Sequence, residues 1–347
     1  MISVLVVPLI ALATVDGSVV DAGVRDAGVR DAGVRDAGLP AAWDGGFDAK
    51  VPASWVLSAK LGKGSALRAA LVKELTAKGG GAGESALTAE EAEALFDDPR
   101  AQLVYADKTV SIVAPSMVSR HRQEHLDLMK LFLKPERVEA GRAFAKQYAE
   151  KLEATEKKTG VDRNVIIGIL MWESKLGTIT GDYRAFNVFT SQAFFIDEAS
   201  AVALSNADEK KQASAGAQAR RVESIRGRAR GNLLALLRQC KTRGIDALEV
   251  KGSWAGALGF PQFMPASLRW ADDGNGDGQI DLFNMEDSIA SIGKYLQAHD
   301  FKADRTKAVW GYNHEDAYVQ GVLAFADALK GAVDGGVPSK APSRDGG

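Results

Sequence analysis

Glu173 closes a run, Asn164-Val-Ile-Ile-Gly-Ile-Leu-Met-Trp-Glu173, that is apolar on almost every side. Read as a helix, the run sets the glutamate three, four and seven positions after Leu170, Ile169 and Ile166, so its carboxyl shares their apolar face. Desolvation opposes ionisation there. So does the negative end of the helix dipole, because Gly177 and Gly181 follow and mark the helix end. A carboxylic acid kept protonated near neutral pH can give its proton to the bridging oxygen of a glycoside. The plainer alternative is a glutamate paired with Lys175 or an arginine, or turned outward at the helix end.

Two other clusters could do chemistry. Asp273-Gly-Asn275-Gly-Asp277-Gly278-Gln279-Ile280-Asp281 reproduces the front half of an EF-hand loop, with oxygen donors at alternating positions and glycine at the sharp turn. The usual closing glutamate is missing, since its position is Asn284, and Glu286 and Asp287 lie just beyond. Without metal, the same residues make a solvated Asp/Gly turn. His121-Arg-Gln-Glu124-His125 matches the inverted zinc-peptidase pattern and would set two imidazoles one helical turn apart. Arg120 and Arg122 flank it and no third ligand is evident, so a surface helix face accounts for it better. His299 and His314 stand apart in sequence and read as ordinary residues.

Helices dominate the elements that must position these groups. Asp162 can cap the Glu173 helix, Thr88 and Glu91 stand at capping-box spacing, and Pro135 opens a helix running through Phe144 and Tyr148 towards Lys157. The best β-rich stretch lies within 103–114, with Thr109, Val110, Ile112 and Val113. Residues 199–230 are polar, alanine-rich and increasingly basic, which predicts a long solvated helix or an insertion. The fold class expected is mainly α, an α+β chain with a small β element.

Residues 4–13 form an apolar run ending Ala11-Leu12-Ala13, a small-x-small pattern that predicts a cleaved export signal over 1–15 and a periplasmic or secreted protein. The run is too short for a stable membrane span, and no cysteine lies near it to carry a lipid. Asp-Ala-Gly-Val-Arg repeats follow, predicting a low-complexity linker over 16–53. A folded region over 54–332 comes next, softened by a glycine-rich stretch at 78–84, and 333–347 read as a disordered tail. The 347 residues carry a formal net charge of −2, which argues against nucleic acid as a partner. The lone cysteine, Cys240, excludes an internal disulfide and reads as a small buried apolar residue.

Three blocks now take on a common meaning. They are Glu173-Ser-Lys-Leu-Gly177 with Thr178-Ile-Thr-Gly-Asp-Tyr-Arg184-Ala-Phe-Asn187; Lys251-Gly-Ser253-Trp-Ala-Gly-Ala-Leu-Gly-Phe260-Pro-Gln262-Phe-Met-Pro265-Ala-Ser267; and Tyr312-Asn313-His-Glu-Asp-Ala-Tyr318-Val319. In this order they resemble the membrane-bound lytic murein transglycosylase B family, over roughly 120–330 with a break between about 195 and 245. The resemblance implies a lysozyme-like fold with an EF-hand-like calcium loop, and a reaction on peptidoglycan glycan strands. Glu173 would protonate the bond between N-acetylmuramic acid and N-acetylglucosamine. It would then act as base towards the muramoyl C6 hydroxyl, closing a 1,6-anhydro ring without added water. The substrate's acetamido group would stabilise the cation, so no second carboxylate is required.

By the same resemblance Ser253, Gln262, Tyr295, Tyr312, Asn313 and Tyr318 line the glycan site. Tyrosine can stack on a sugar and hydrogen-bond through its hydroxyl, and amides bind hydroxyls without adding charge. Tyr295 and Tyr318 also stand at helical spacing from Ile292 and Val322, which fits core packing, and Gly259 to Pro265 could simply build a turn. The calcium set implied is Asp273, Asn275, Asp277, the Gln279 carbonyl and Asp287, in a structural role. A lysozyme-type hydrolase is the nearest rival. It would need Asp182, Asp197, Glu198 or a more distant acid as its second carboxylate. A non-catalytic peptidoglycan-binding or calcium-binding protein is the third class.

Overall fold

A computed structural model describes residues 55–77, 84–114, 132–205 and 215–331. The export signal, the repeat linker, the His121/His125 pair and the C-terminal tail lie outside these residues. The first helices are α1 (Ser58–Leu61), α2 (Ala66–Thr76), α3 (Ala89–Asp97) and α4 (Ala106–Val113). The Thr88/Glu91 capping box forms in full at the start of α3. Pro135 opens α5 (Pro135–Gln147), but the backbone breaks at Tyr148 and restarts as α6 (Ala149–Thr159), which ends on Gly160 in the left-handed conformation.

The core follows in α7 (Arg163–Ser174), α8 (Ala185–Phe194), α9 (Ile196–Ser205) and α10 (Ala215–Arg243), then α11 (Met285–Ala298), α12 (Arg305–Tyr312) and α13 (Asp316–Leu329). Packing pairs α7 with α13, α8 with α10 and α6 with α11. Small residues permit the first pairing. A Cβ on Gly321 of α13 would fall 2.3 Å from Cζ3 of Trp172, and one on Gly168 of α7 would fall 3.0 Å from the Val322 carbonyl oxygen. Among the described residues strand is confined to β1 (Tyr183–Arg184) and β2 (Lys251–Gly252), antiparallel with Tyr183 opposite Gly252. Gly181 lets these segments meet, because a Cβ there would lie 2.1 Å from the Gly252 carbonyl oxygen.

Two expectations need correction. The β-rich stretch at 103–114 is mostly helix α4, which packs on α9. Thr109, Val110, Ile112 and Val113 are buried there as one helical face, so tertiary packing overrides their β-propensity. The segment 199–230, expected as a long solvated helix or an insertion, is helix over its described residues, but it is not free of the core. Val222, Ile225, Ala229, Leu233, Leu236 and Cys240 form a buried stripe along α10, and its charges fasten it to neighbours. Arg226 meets Asp197 and Arg230 meets Glu74 at 2.7 Å, while Lys241 pairs with Glu91.

Candidate active site

The site begins at the cap of α7, where Asp162 Oδ1 accepts from the Asn164 N–H at 2.9 Å. Val165 to Ser174 are all buried, as the apolar run requires. The helix is stopped by Lys175, Leu176 and Gly177, all at positive φ, with the Leu176 N–H returning to the Leu170 carbonyl at 2.9 Å. Glu173 therefore occupies the last turn. It is 0% exposed, and among the described residues neither carboxyl oxygen has a hydrogen-bond partner of ordinary geometry. Lys175 is exposed, and among the described residues no ion pair reaches Glu173, whose carboxyl is buried rather than turned outward.

Burial pushes the Glu173 pKa well above the usual carboxyl range, with the Tyr318 hydroxyl pulling weakly the other way. The Tyr318 hydroxyl and the carboxyl are mutually coupled, although no hydrogen bond of ordinary geometry joins them. Tyr312 also couples to Glu173, and burial holds both phenols neutral, well above their ordinary pKa. The carboxyl thus faces neutral phenols, and no charged side chain among the described residues shifts it.

Rings fix this arrangement. Tyr318 lies nearly parallel to Tyr312 at 6.4 Å and edge-on to Trp172 at 5.4 Å. The Tyr312 hydroxyl donates to the Pro261 carbonyl at 2.5 Å, which ties the start of the third block to the second. Gln262 is next to that anchor and adopts φ +52°, a left-handed conformation that costs free energy for a side chain with a Cβ. Its Nε2 donates to Gly259 at 2.8 Å, leaving the buried Oε1 without a partner. Asn313, beside Tyr312, keeps a buried Nδ2 without a partner. Such orphans cost about 1–3 kcal/mol each, so they are atypical of a finished core.

The other expected site residues do different work. Ser253 is buried with its Oγ accepting from Ala257 N–H at 3.0 Å, which closes its own turn. Tyr295 donates to the Gly311 carbonyl at 2.7 Å, stacks on His299 at 4.1 Å and meets Tyr312 edge-on, one ring removed from the acid. The core-packing reading suits it. The acids considered as a second carboxylate are spoken for: Asp182 pairs with Lys251 at 2.6 Å, Asp197 with Arg226, and Glu198 with Lys60. Trp172, the aromatic residue directly preceding the glutamate, packs edge-on to Tyr318 and carries a buried indole N–H without a partner among the described residues.

In the Asp/Gly loop, Asp273 accepts from the Gly276 and Gly278 N–H groups at 2.6 and 2.8 Å, and Asp277 accepts from Gln279 at 2.8 Å. Asn275 Oδ1 accepts from the Asp277 N–H at 3.0 Å. Asp287, buried at 1% exposure, closes the loop by accepting from Gly274, Asn275 and Asp281. The donor set is all oxygen, which suits a hard cation. No three acidic, histidine or cysteine side chains converge on one point among the described residues. A full shell would therefore need the Asn275 amide and the Gln279 carbonyl as well as rotation of the carboxylates. No described helix is long and apolar enough to cross a membrane.

The family model of the transglycosylase SLT domain matches residues 81–315. Membrane-bound lytic murein transglycosylase B of Escherichia coli is 30% identical over 171 residues, which cover 49% of this chain and 40% of that protein, so the alignment spans less than half of the relative's length. Among solved structures, the Escherichia coli lytic transglycosylase Slt35 in complex with bulgecin A superposes with a TM-score of 0.55 at 21% identity, covering 75% of this chain and 91% of that one. SltB3 of Pseudomonas aeruginosa in complex with NAG-NAM-pentapeptide reaches 0.56 at 18% identity, covering 78% and 81%. A family match over residues 81–315, on a fold shared with these lysozyme-like enzymes, establishes that this chain belongs to the SLT-domain transglycosylase family.

Proposed function

We propose that this protein is a lytic transglycosylase that cleaves the β-1,4 bond between N-acetylmuramic acid and N-acetylglucosamine in peptidoglycan, leaving 1,6-anhydro-muramic acid ends. The observation that carries this reading is the wholly buried carboxyl of Glu173, without a hydrogen-bond partner of ordinary geometry among the described residues, beside neutral phenols and with no carboxylate coupled to it. A neutral acid can protonate the leaving oxygen. As a carboxylate it then accepts the proton of the muramoyl C6 hydroxyl, whose oxygen bonds to C1, so the proton lent is returned and no water is consumed. Tyr312 and Tyr318 offer hydroxyls and ring faces to the sugar without charge. Gln262 Oε1 and Asn313 Nδ2 supply one acceptor and one donor that the protein leaves unused. Ser253 and Tyr295 act by shaping the walls. The complexes of SltB3 with NAG-NAM-pentapeptide and NAG-anhNAM-pentapeptide support a peptidoglycan substrate and an anhydro product. The ion-paired, exposed Asp182 weighs against a two-carboxylate hydrolase.

A structural Ca²⁺ belongs to the same reading, held by Asp273, Asn275, Asp277, the Gln279 carbonyl and Asp287. Slt35 has been solved in complex with calcium, and the loop here is built of oxygen donors. Bound there, the ion would clamp the loop against α11 and supply no step of the cleavage. Action on the cell wall also requires export to the periplasm or beyond, consistent with the apolar segment at 4–13. Digestion of purified sacculi in water enriched in heavy oxygen tests the chemistry. Unlabelled, non-reducing muramic acid ends are expected, and labelled, reducing ends would overturn the assignment.

A further inference from the structure

A pocket of about 430 Å³ lies between α10, the β1–β2 pair and the segment 280–283, and it contains neither Glu173 nor any residue expected to bind the glycan. Its depth is apolar, with Leu236, Leu258 and Leu282 among its walls. Its rim is charged. Asp182 and Lys251 face each other there in an exposed ion pair, which binds weakly enough to open for a ligand.

The other charges separate cleanly. Glu249 is matched by Arg100 at 2.6 Å, and Asp281 accepts from the Phe283 N–H at 2.8 Å. Arg243 is different. It is half-buried in the pocket wall, has no carboxylate partner among the described residues, and makes one side-chain hydrogen bond, a long one of 3.5 Å to the Leu268 carbonyl. Burial pulls its pKa down without an opposing carboxylate. A guanidinium taken from water without a partner is costly, and a bidentate carboxylate is its best complement.

The pocket also shares a wall with the acid's surroundings. Leu258 pairs with Phe263 across the turn that carries Gln262, and within that turn the Phe260 N–H donates to the Leu282 carbonyl at 2.8 Å. Thr180 to Asp182 belong to the segment that leaves the Glu173 helix. Through Leu258 and Thr180 to Asp182, the turn that carries Gln262 and the segment that leaves the Glu173 helix both contribute to the pocket's walls.

We propose that this pocket takes the carboxylate-bearing peptide carried by muramic acid, with Arg243 anchoring a peptide carboxylate and the Lys251/Asp182 pair meeting further charges at the rim. The proposal rests on the peptidoglycan reading above. A volume of about 430 Å³ is within the range that holds a ligand the size of a short peptide.

The experiment compares two substrates: peptidoglycan strands with their peptides, and the same strands stripped of them by an amidase. Wild type should prefer the peptide-bearing strands in kcat/KM. Arg243→Met should lower that preference about tenfold, the cost of one charge-assisted contact, while Arg243→Lys should keep most of it. Calorimetry with the free tetrapeptide released by the amidase should show the same ordering in Kd, on variants whose thermal melting confirms folding. An unchanged preference and unchanged tetrapeptide affinity in Arg243→Met would overturn the proposal. So would displacement of the tetrapeptide by naked glycan, which would make the pocket a sugar site. If wild type cleaved neither substrate, the enzymatic reading would fall, while tetrapeptide binding would still decide the pocket.

Discussion

Replacing Glu173 by glutamine removes one titration from the protein core, so it should alter the pH dependence of stability as well as activity. In the folded chain the carboxyl is fully buried and is pushed by burial well above its ordinary pKa of 4.5, against a smaller opposing pull from the Tyr318 hydroxyl. In the unfolded chain it titrates near that ordinary value, so the folded state binds the proton more tightly. The stability this contributes is complete below the unfolded pKa and is lost progressively as pH rises towards the folded one. Over that window wild type should lose about 1.4 kcal/mol per pH unit relative to Glu173→Gln, because each unit of pKa difference has that value. Other groups titrate alike in both proteins and cancel in the difference. Urea unfolding of both from pH 4 to pH 8 measures it through the transition midpoints at equal slope. The expected result is a gap that widens in favour of the glutamine variant above about pH 4.5, with glycan cleavage abolished throughout. A gap independent of pH would refute the argument that burial keeps Glu173 neutral. Near-wild-type cleavage by the variant would refute its role as the acid.

Gly321→Ala places a methyl 2.3 Å from Trp172 and should destabilise the α7–α13 contact by about 1–3 kcal/mol, read as a lowered melting temperature with reduced activity. A melting temperature equal to wild type would show that Trp172 can move aside. Calcium should raise the melting temperature by mass action, by about 2.7 kcal/mol at a hundredfold excess over Kd, and Asp277→Ala should remove that dependence. Indifference of a calcium-loaded sample to chelation would argue against a stabilising ion.

Local pattern was enough to place Glu173 in the last turn of a buried helix. An apolar run from Val165 to Trp172 that Asp162 can cap and that glycines follow reads as a buried helix, and a glutamate at its end must then be buried or paired. The Thr88 capping box, the Pro135 start and the Asp162 cap were legible for the same reason, since each satisfies backbone groups only a few residues away. The Asp273 loop was legible as a turn because its acceptors serve amides close in sequence. The absence of a Glu173 partner among the described residues was not legible, because it depends on which groups from α12 and α13 arrive beside it. Nor could sequence spacing separate Tyr295, bonded to Gly311, from Tyr318, turned to the acid, since both stand at core-like positions on a helix. The segment at 103–114 shows the same limit: its β-branched residues suit a strand locally, but a helical face there fits against α9. The Arg243 pocket has no sequence signature at all, because its walls come from four distant segments. Periodicity and capping act within one element and can be read along the chain. Burial, orphaned polar atoms and uncompensated charge are properties of what surrounds an atom, and only the packed chain decides those.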